Sequence, residues 1–317
     1  MTYILLLVGF GLLIKGADLF VDGSSNIARL LRVPPILIGL TIVAFGTSSP
    51  EATVSIIASL NDSADISLGN IIGSNIFNFT LVVGITAIMH PLKVERETIK
   101  KEIPFTLLAS VVLLVLVSDK VLQGLGPNQL NRSDGIIFLL FLSIFLYYVF
   151  EVALKNREEI TEEKKSRHIK WGESILWSLI GLAAIIFGGD MVVKNGTTIA
   201  LSLGMSETLV GLTIIAIGTS LPELVTSVTA ALKKESEIAL GNIIGSNIFN
   251  ILFVLGAASV ISPMPVDDRV FVDMIAMVVL TVLLLIFSRT NYKVGKTEGI
   301  ILVGVYAAYL VYIILRN

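Results

Sequence analysis

Residues 39–78 return without a gap as residues 211–250, 172 positions later, with 25 of the 40 positions identical. Both copies set the same two polar islands into an apolar run. The first copy has Gly46-Thr47-Ser48-Ser49-Pro50-Glu51 and then Gly73-Ser74-Asn75 through Asn78. The second has Gly218-Thr219-Ser220-Leu221-Pro222-Glu223 and then Gly245-Ser246-Asn247 through Asn250. A duplication of this kind inside a strongly apolar chain is the signature of a secondary transporter built from two related halves.

The apolar character is explicit in the composition: 54% hydrophobic residues, 15% charged and a mean hydropathy of +0.87. Soluble domains carry about a quarter charged residues, so this composition points to a polytopic membrane protein. A net charge of −2 gives no basis for a nucleic-acid partner. The absence of cysteine removes disulfides, thiolate metal sites and cysteine nucleophiles, and the two histidines, His90 and His168, fall in linkers. The apolar N-terminus reads as a span rather than a signal peptide, because Lys15 and Asp18 follow it without a small-residue cleavage site.

Stretches of about 20 apolar residues cross a bilayer as helices. Ten are expected, at 3–28, 34–59, 66–89, 103–118, 134–153, 173–193, 207–232, 238–262, 270–288 and 297–315. Alternate linkers hold 17 lysines and arginines, while the other linkers and the C-terminus hold 5. Positive charge marks the cytoplasmic side, so both termini are expected outside the cell. The linker at 154–172 mixes both signs and reads as a solvated tether between an N-terminal half, 1–153, and a C-terminal half, 173–317. Five spans per half is an odd number, so the second half enters from the opposite side and the copies form an inverted-topology pair. The fold class expected is all-α, with discontinuous helices 2, 3, 7 and 8 around a midplane site.

Within the first island, Thr47, Ser48 and Glu51 share a helical face. Pro50 cannot donate a backbone hydrogen bond and clashes with the preceding turn. Together with Gly46 it is expected to interrupt the second span and to free carbonyls near Ala44. Ala216, Gly218, Thr219, Ser220, Pro222 and Glu223 repeat these elements. The second islands add Ser74 with Asn78 and Ser246 with Asn250, again four apart. Gly69 and Gly73, with Gly241 and Gly245, are small-residue rows suited to close helix packing.

Collected at the midplane, every ligand is an oxygen, which suits hard cations such as Ca²⁺ and Na⁺ and not zinc or copper. An ionised glutamate at the bilayer centre costs at least about 2.5–3.5 kcal/mol, and no lysine or arginine lies near either motif in sequence. The two glutamates therefore need a cation or protons. Asp18 and Asp190 also match at the 172 offset and read as interfacial or gate-anchoring residues, and Asp62 and Asp65 as a solvated turn. No nucleophile–base pair is available for an enzyme. A proton-coupled divalent-cation antiporter and a passive cation channel stay open beside a sodium-coupled antiporter.

The two glutamate islands, each followed by Gly-Asn-Ile-Ile-Gly-Ser-Asn-Ile-Phe-Asn, closely resemble the two alpha-repeats of the sodium/calcium exchanger family. The length is similar to that of its prokaryotic members. The resemblance implies ten spans, exchange of about three Na⁺ for one Ca²⁺, and helices one and six sliding against the other eight. It implies Ca²⁺ ligands at Glu51, Glu223, Thr47 and the Thr219 carbonyl. It implies Na⁺ ligands at Ala44, Ser48, Ser74, Ala216, Ser220 and Ser246 with both glutamates shared, and central positions at Asn78 and Asn250. Asn250 departs from the aspartate found there in several members, which makes the set more even between the halves. Calcium and sodium are then substrates, no cofactor is implied, and the chain is expected to act as a monomer in the cell membrane.

Overall fold

The computed structural model describes residues 1–61, 64–122, 124, 127–156, 170–204 and 216–316. Most of the 154–172 tether, with His168, lies outside them, as do Asp62, the side chain of Asp65 and the first five residues of the second copy. The architecture is helical throughout. In chain order the helices are α1 (Thr2–Leu31), α2 (Pro35–Thr47), α3 (Ser49–Leu60), α4 (Ile66–Met89), α5 (Arg96–Lys100), α6 (Glu102–Leu116) and α7 (Asp119–Leu122). They continue as α8 (Arg132–Asn156), α9 (Trp171–Ser202), α10 (Ala216–Thr219), α11 (Leu221–Leu232), α12 (Ser236–Ile261), α13 (Asp268–Arg289) and α14 (Lys296–Arg316).

Among the described residues, seven helices are long and apolar enough to cross a bilayer, and the bent pair α2–α3 makes an eighth. The sequence led us to expect ten. Of the remaining two, α6 has only 15 residues, about 22 Å at 1.5 Å per residue, and the seventh stretch begins outside the described residues. The membrane-facing character is plain on the periphery, where Leu7, Tyr147 and Phe187 are each about two-thirds exposed or more. Around a folded chain in water such a surface would be an interaction patch, whereas in a bilayer it meets lipid.

The core is the pair of repeated segments. α12 is buried along most of its length, with Ile243, Ile244, Ile248, Ile251 and Leu252 inaccessible, and α4 matches it with Ile71, Ile72 and Ile76. Around them α1 packs along α9, where glycines set the approach. A Cβ on Gly16 would lie 2.8 Å from the Gly181 carbonyl, and one on Gly23 only 2.3 Å from the Ser178 hydroxyl.

Two short ribbons join the halves. β1 (Leu92–Lys93) pairs antiparallel with β4 (Lys293–Val294), and β2 (Gln129–Leu130) with β3 (Met264–Pro265). Leu92 and Met264 are matched at the 172 offset, as are Val94 and Val266. Val94 donates to the Tyr292 carbonyl and Val266 to the Asn128 carbonyl, both at 2.9 Å. Each half therefore lends an equivalent linker to a strand of the other. The paired linkers are those that the charge distribution assigns to the same side of the membrane.

Candidate functional site

α2 stops at Thr47 and α3 starts at Ser49, with a 50° turn at Ser48 (φ −83°, ψ 6°). The cause is Pro50. It has no N–H for the Gly46 carbonyl, which instead accepts the Ser49 hydroxyl at 2.8 Å. This corrects the expectation of free carbonyls near Ala44. The Ala44 carbonyl accepts the Ser48 N–H at 3.0 Å, because the bond that proline deletes belongs two residues later. In the second copy Ser220 (φ −92°, ψ 6°) stands at the same break between α10 and α11. Wide π-turns interrupt the neighbouring helices at Asn78–Val82 and Asn250–Leu255, and α2 at Gly39–Val43. Such turns are frequent at functional sites because they leave the regular bonding ladder incomplete.

Each break delivers a glutamate to the first turn of the next helix, Glu51 in α3 and Glu223 in α11. There the helix dipole favours negative charge. Both side chains are fully buried. The Ser48 hydroxyl donates to Glu223 Oε1 at 2.7 Å, and the Ser220 hydroxyl donates to Glu51 Oε1 at 2.8 Å. The serine of each copy thus holds the glutamate of the other. Ser74 joins Ser220 at 3.0 Å, and Ser246 donates to Glu223 Oε1 at 3.4 Å. No described ion pair includes either glutamate. Glu51 Oε2 and Glu223 Oε2 are buried without a partner.

Six of the residues singled out from sequence are therefore linked directly: Glu51, Ser220 and Ser74, and Glu223, Ser48 and Ser246. The others stand differently. Thr47 is tied to α12, its hydroxyl donating to Asn242 Oδ1 at 2.9 Å, whereas the Thr219 hydroxyl has no partner. Asn250 donates to Asn75 Oδ1 at 3.1 Å, while both amide atoms of Asn78 are buried and unpartnered. The asparagines match in sequence but differ in geometry. Ala44 lies at the base of the break, and of Ala216 only the backbone is described.

Four residues that sequence reasoning passed over support the site. Asn242 donates to the Ser227 hydroxyl at 2.9 Å and to the Glu223 carbonyl at 3.4 Å. Asn70 does the same to Ser55 at 3.0 Å and to the Glu51 carbonyl at 3.4 Å. These pairs pin the glutamate helices to α12 and α4. Their signal was present in the sequence, since Ser55/Ser227 and Asn70/Asn242 are identical at the 172 offset. One of the two glycine rows sets a close helix approach. A Cβ on Gly241 or Gly245 would come within 2.6 Å of the Ile36 or Leu40 carbonyl, so α2 and α12 are in close contact. Among the described residues, which exclude the equivalent stretch 208–212, nothing lies within 4 Å of a Cβ on Gly69 or Gly73, and with Asn70, Ser74 and Tyr309 they line a cavity of about 70 Å³.

The family model for the sodium/calcium exchanger protein matches residues 1–151 and 173–315. Sodium/calcium exchanger MaX1 of Methanosarcina acetivorans is 33% identical over 344 residues, covering 98% of this chain and 97% of its own. Inner membrane protein YrbG of Escherichia coli (strain K12) is 38% identical over 317 residues, with 96% and 94% covered. Among solved structures, the sodium-calcium exchanger NCX_Mj soaked with 10 mM Na⁺ and zero Ca²⁺ superposes with a TM-score of 0.84 at 33% identity, covering 98% of both chains. Two broken helices, two buried carboxylates and a match that runs through both halves converge, and the chain belongs to the sodium/calcium exchanger family.

Proposed function

We propose that this protein exchanges about three Na⁺ for one Ca²⁺ by alternating access and extrudes calcium across the cell membrane. Glu51, Glu223, Thr47, Thr219, Ser48, Ser220, Ala44, Ala216, Ser74, Ser246, Asn78 and Asn250 supply the ligands. The observation that carries this reading is the pair of fully buried glutamates, each with one carboxylate oxygen unpartnered and no cationic side chain beside it. Two desolvated carboxylates require compensating positive charge. Further buried oxygens without donors, Asn78 Oδ1 and Asn250 Oδ1, extend a set made only of oxygen, the chemistry of a hard cation. One Ca²⁺ balances both carboxylates, whereas three Na⁺ leave one positive charge, so the sodium step carries charge across the membrane. In this reading residues 1–153 and 173–317 are inverted five-span halves with both termini outside, and the protein acts as a monomer. The reciprocal serine–glutamate bonds and the two cross-paired ribbons support the inversion.

The test is equilibrium binding of ⁴⁵Ca²⁺ to the purified protein. Binding is expected to be displaced cooperatively by Na⁺. It should weaken about 10- to 100-fold in Glu51→Gln or Glu223→Gln, since a charged hydrogen-bond partner is worth about 1.5–3 kcal/mol and 1.4 kcal/mol is tenfold. Displacement by protons but not by Na⁺ would instead assign a proton-coupled antiporter.

A further inference from the structure

Asn75, on α4, is fully buried, and both ends of its side-chain amide meet α12. Its Oδ1 accepts Asn250 Nδ2 at 3.1 Å. Its Nδ2 lies 3.5 Å from the Asn247 carbonyl and 3.6 Å from Met277 Sδ on α13. The Asn247 carbonyl also accepts the Asn250 backbone N–H, so one oxygen of α12 serves both residue 250 and Asn75. The direction of this clasp is fixed by its neighbours. Both groups facing Nδ2 are acceptors, and turning the amide over would set Oδ1 against a carbonyl oxygen and Nδ2 against the Nδ2 of Asn250. Asn250 inherits that direction. Asn75 takes its donor end, and what remains is Oδ1, buried without a donor. Only the oxygen end of an amide ligates a hard cation.

The matched residues of the other copy are arranged differently. At the 172 offset, Asn75 and Asn78 correspond to Asn247 and Asn250, and Met277 corresponds to Phe105. Phe105 offers no acceptor, and its ring stacks on Phe145. Asn247 Nδ2 turns back to the Ile243 carbonyl of its own helix at 2.7 Å, and its Oδ1 has no partner. Neither amide atom of Asn78 has one either. The four asparagines and Met277 are all described and all fully buried. Asn250 is thus held by a neighbouring helix and Asn78 is not.

We propose that Asn75 is a positioning residue for the cation site: it holds the Asn250 amide with Nδ2 turned away and Oδ1 presented as a preformed ligand. Met277 acts through Asn75, by fixing which end of that amide faces α12. Asn78, held by nothing, must orient when a cation arrives. A ligand set in advance avoids the ordering cost that a free side chain meets on binding. The proposal rests on the reading above in which Asn250 is a cation ligand of an exchanger.

The test is ⁴⁵Ca²⁺ binding to the purified protein in two backgrounds. In the otherwise unaltered chain, Asn75→Leu is expected to weaken binding about 3- to 10-fold. In an Asn250→Asp background the same substitution should not weaken it, because a carboxylate presents oxygen at both ends and needs no orienting partner. A merely structural role for Asn75 would cost the same in both. Met277→Leu conserves volume, and it carries the test where Asn75→Leu does not fold. It should weaken binding about twofold in the unaltered chain and not in the Asn250→Asp one. Equal losses in the two backgrounds, or no loss in the unaltered chain, would overturn the positioning role. Bound Ca²⁺ that Na⁺ fails to displace from the unaltered protein would instead overturn the exchange reading.

Discussion

Glu51 and Glu223 are the residues around which everything else is arranged, and each depends on a donor from the other copy. Ser48→Ala and Ser220→Ala are each expected to weaken Ca²⁺ binding about tenfold, from loss of one hydrogen bond to a carboxylate of about 1.5 kcal/mol; titration of the two purified variants against wild type measures it. Asn242 has a supporting task. It joins Ser227, the Glu223 carbonyl and Thr47, whereas Asn70 joins only Ser55 and the Glu51 carbonyl. Each buried group left unpaired costs about 1–3 kcal/mol. Asn242→Ala should therefore lower the Tm of the detergent-solubilised protein by more than Asn70→Ala does, and an equal loss would contradict the asymmetric bonding. The glutamates and serines that the structure links were legible from sequence because they recur in two copies. The inequality of Asn78 and Asn250 was not, because identical residues in identical motifs differ only in what surrounds them.

At the level of elements, the broken helix followed from Gly46 and Pro50 alone, since a proline inside a helix removes a bond whatever its surroundings. The freed carbonyl is that of Gly46, four residues before the proline; what satisfies it depended on the Ser49 rotamer. The glycine rows are similar. Sequence showed four small positions, and packing sets Gly241 and Gly245 directly against the backbone of α2. Gly241→Ala would set a Cβ 2.6 Å from the Ile36 carbonyl and is expected to lower the Tm by several degrees. Thermal unfolding of the variant against wild type decides this, and an unchanged Tm would mean that α2 and α12 are not packed at this glycine.

For the whole molecule, duplication, hydropathy and charge bias made the helical class and the membrane setting readable before any coordinates. They could not show that linkers of the two halves pair as β1–β4 and β2–β3, because two-residue strands carry no periodic pattern. Nor could they show that Lys233 pairs with Asp18 and Glu235 with Arg29, since a lysine beside a span reads equally as solvated charge. In the proposed exchange the consequence is vectorial: a site with two carboxylates, alternately loaded from either side, would couple two cation gradients. ⁴⁵Ca²⁺ uptake into proteoliposomes with Na⁺, K⁺ or H⁺ gradients imposed in turn measures that coupling. An outward Na⁺ gradient is expected to drive uptake, and an interior-positive potential to accelerate it through the net positive charge of the sodium-loaded site. Uptake that proceeds equally without sodium and ignores voltage would contradict sodium-coupled calcium exchange.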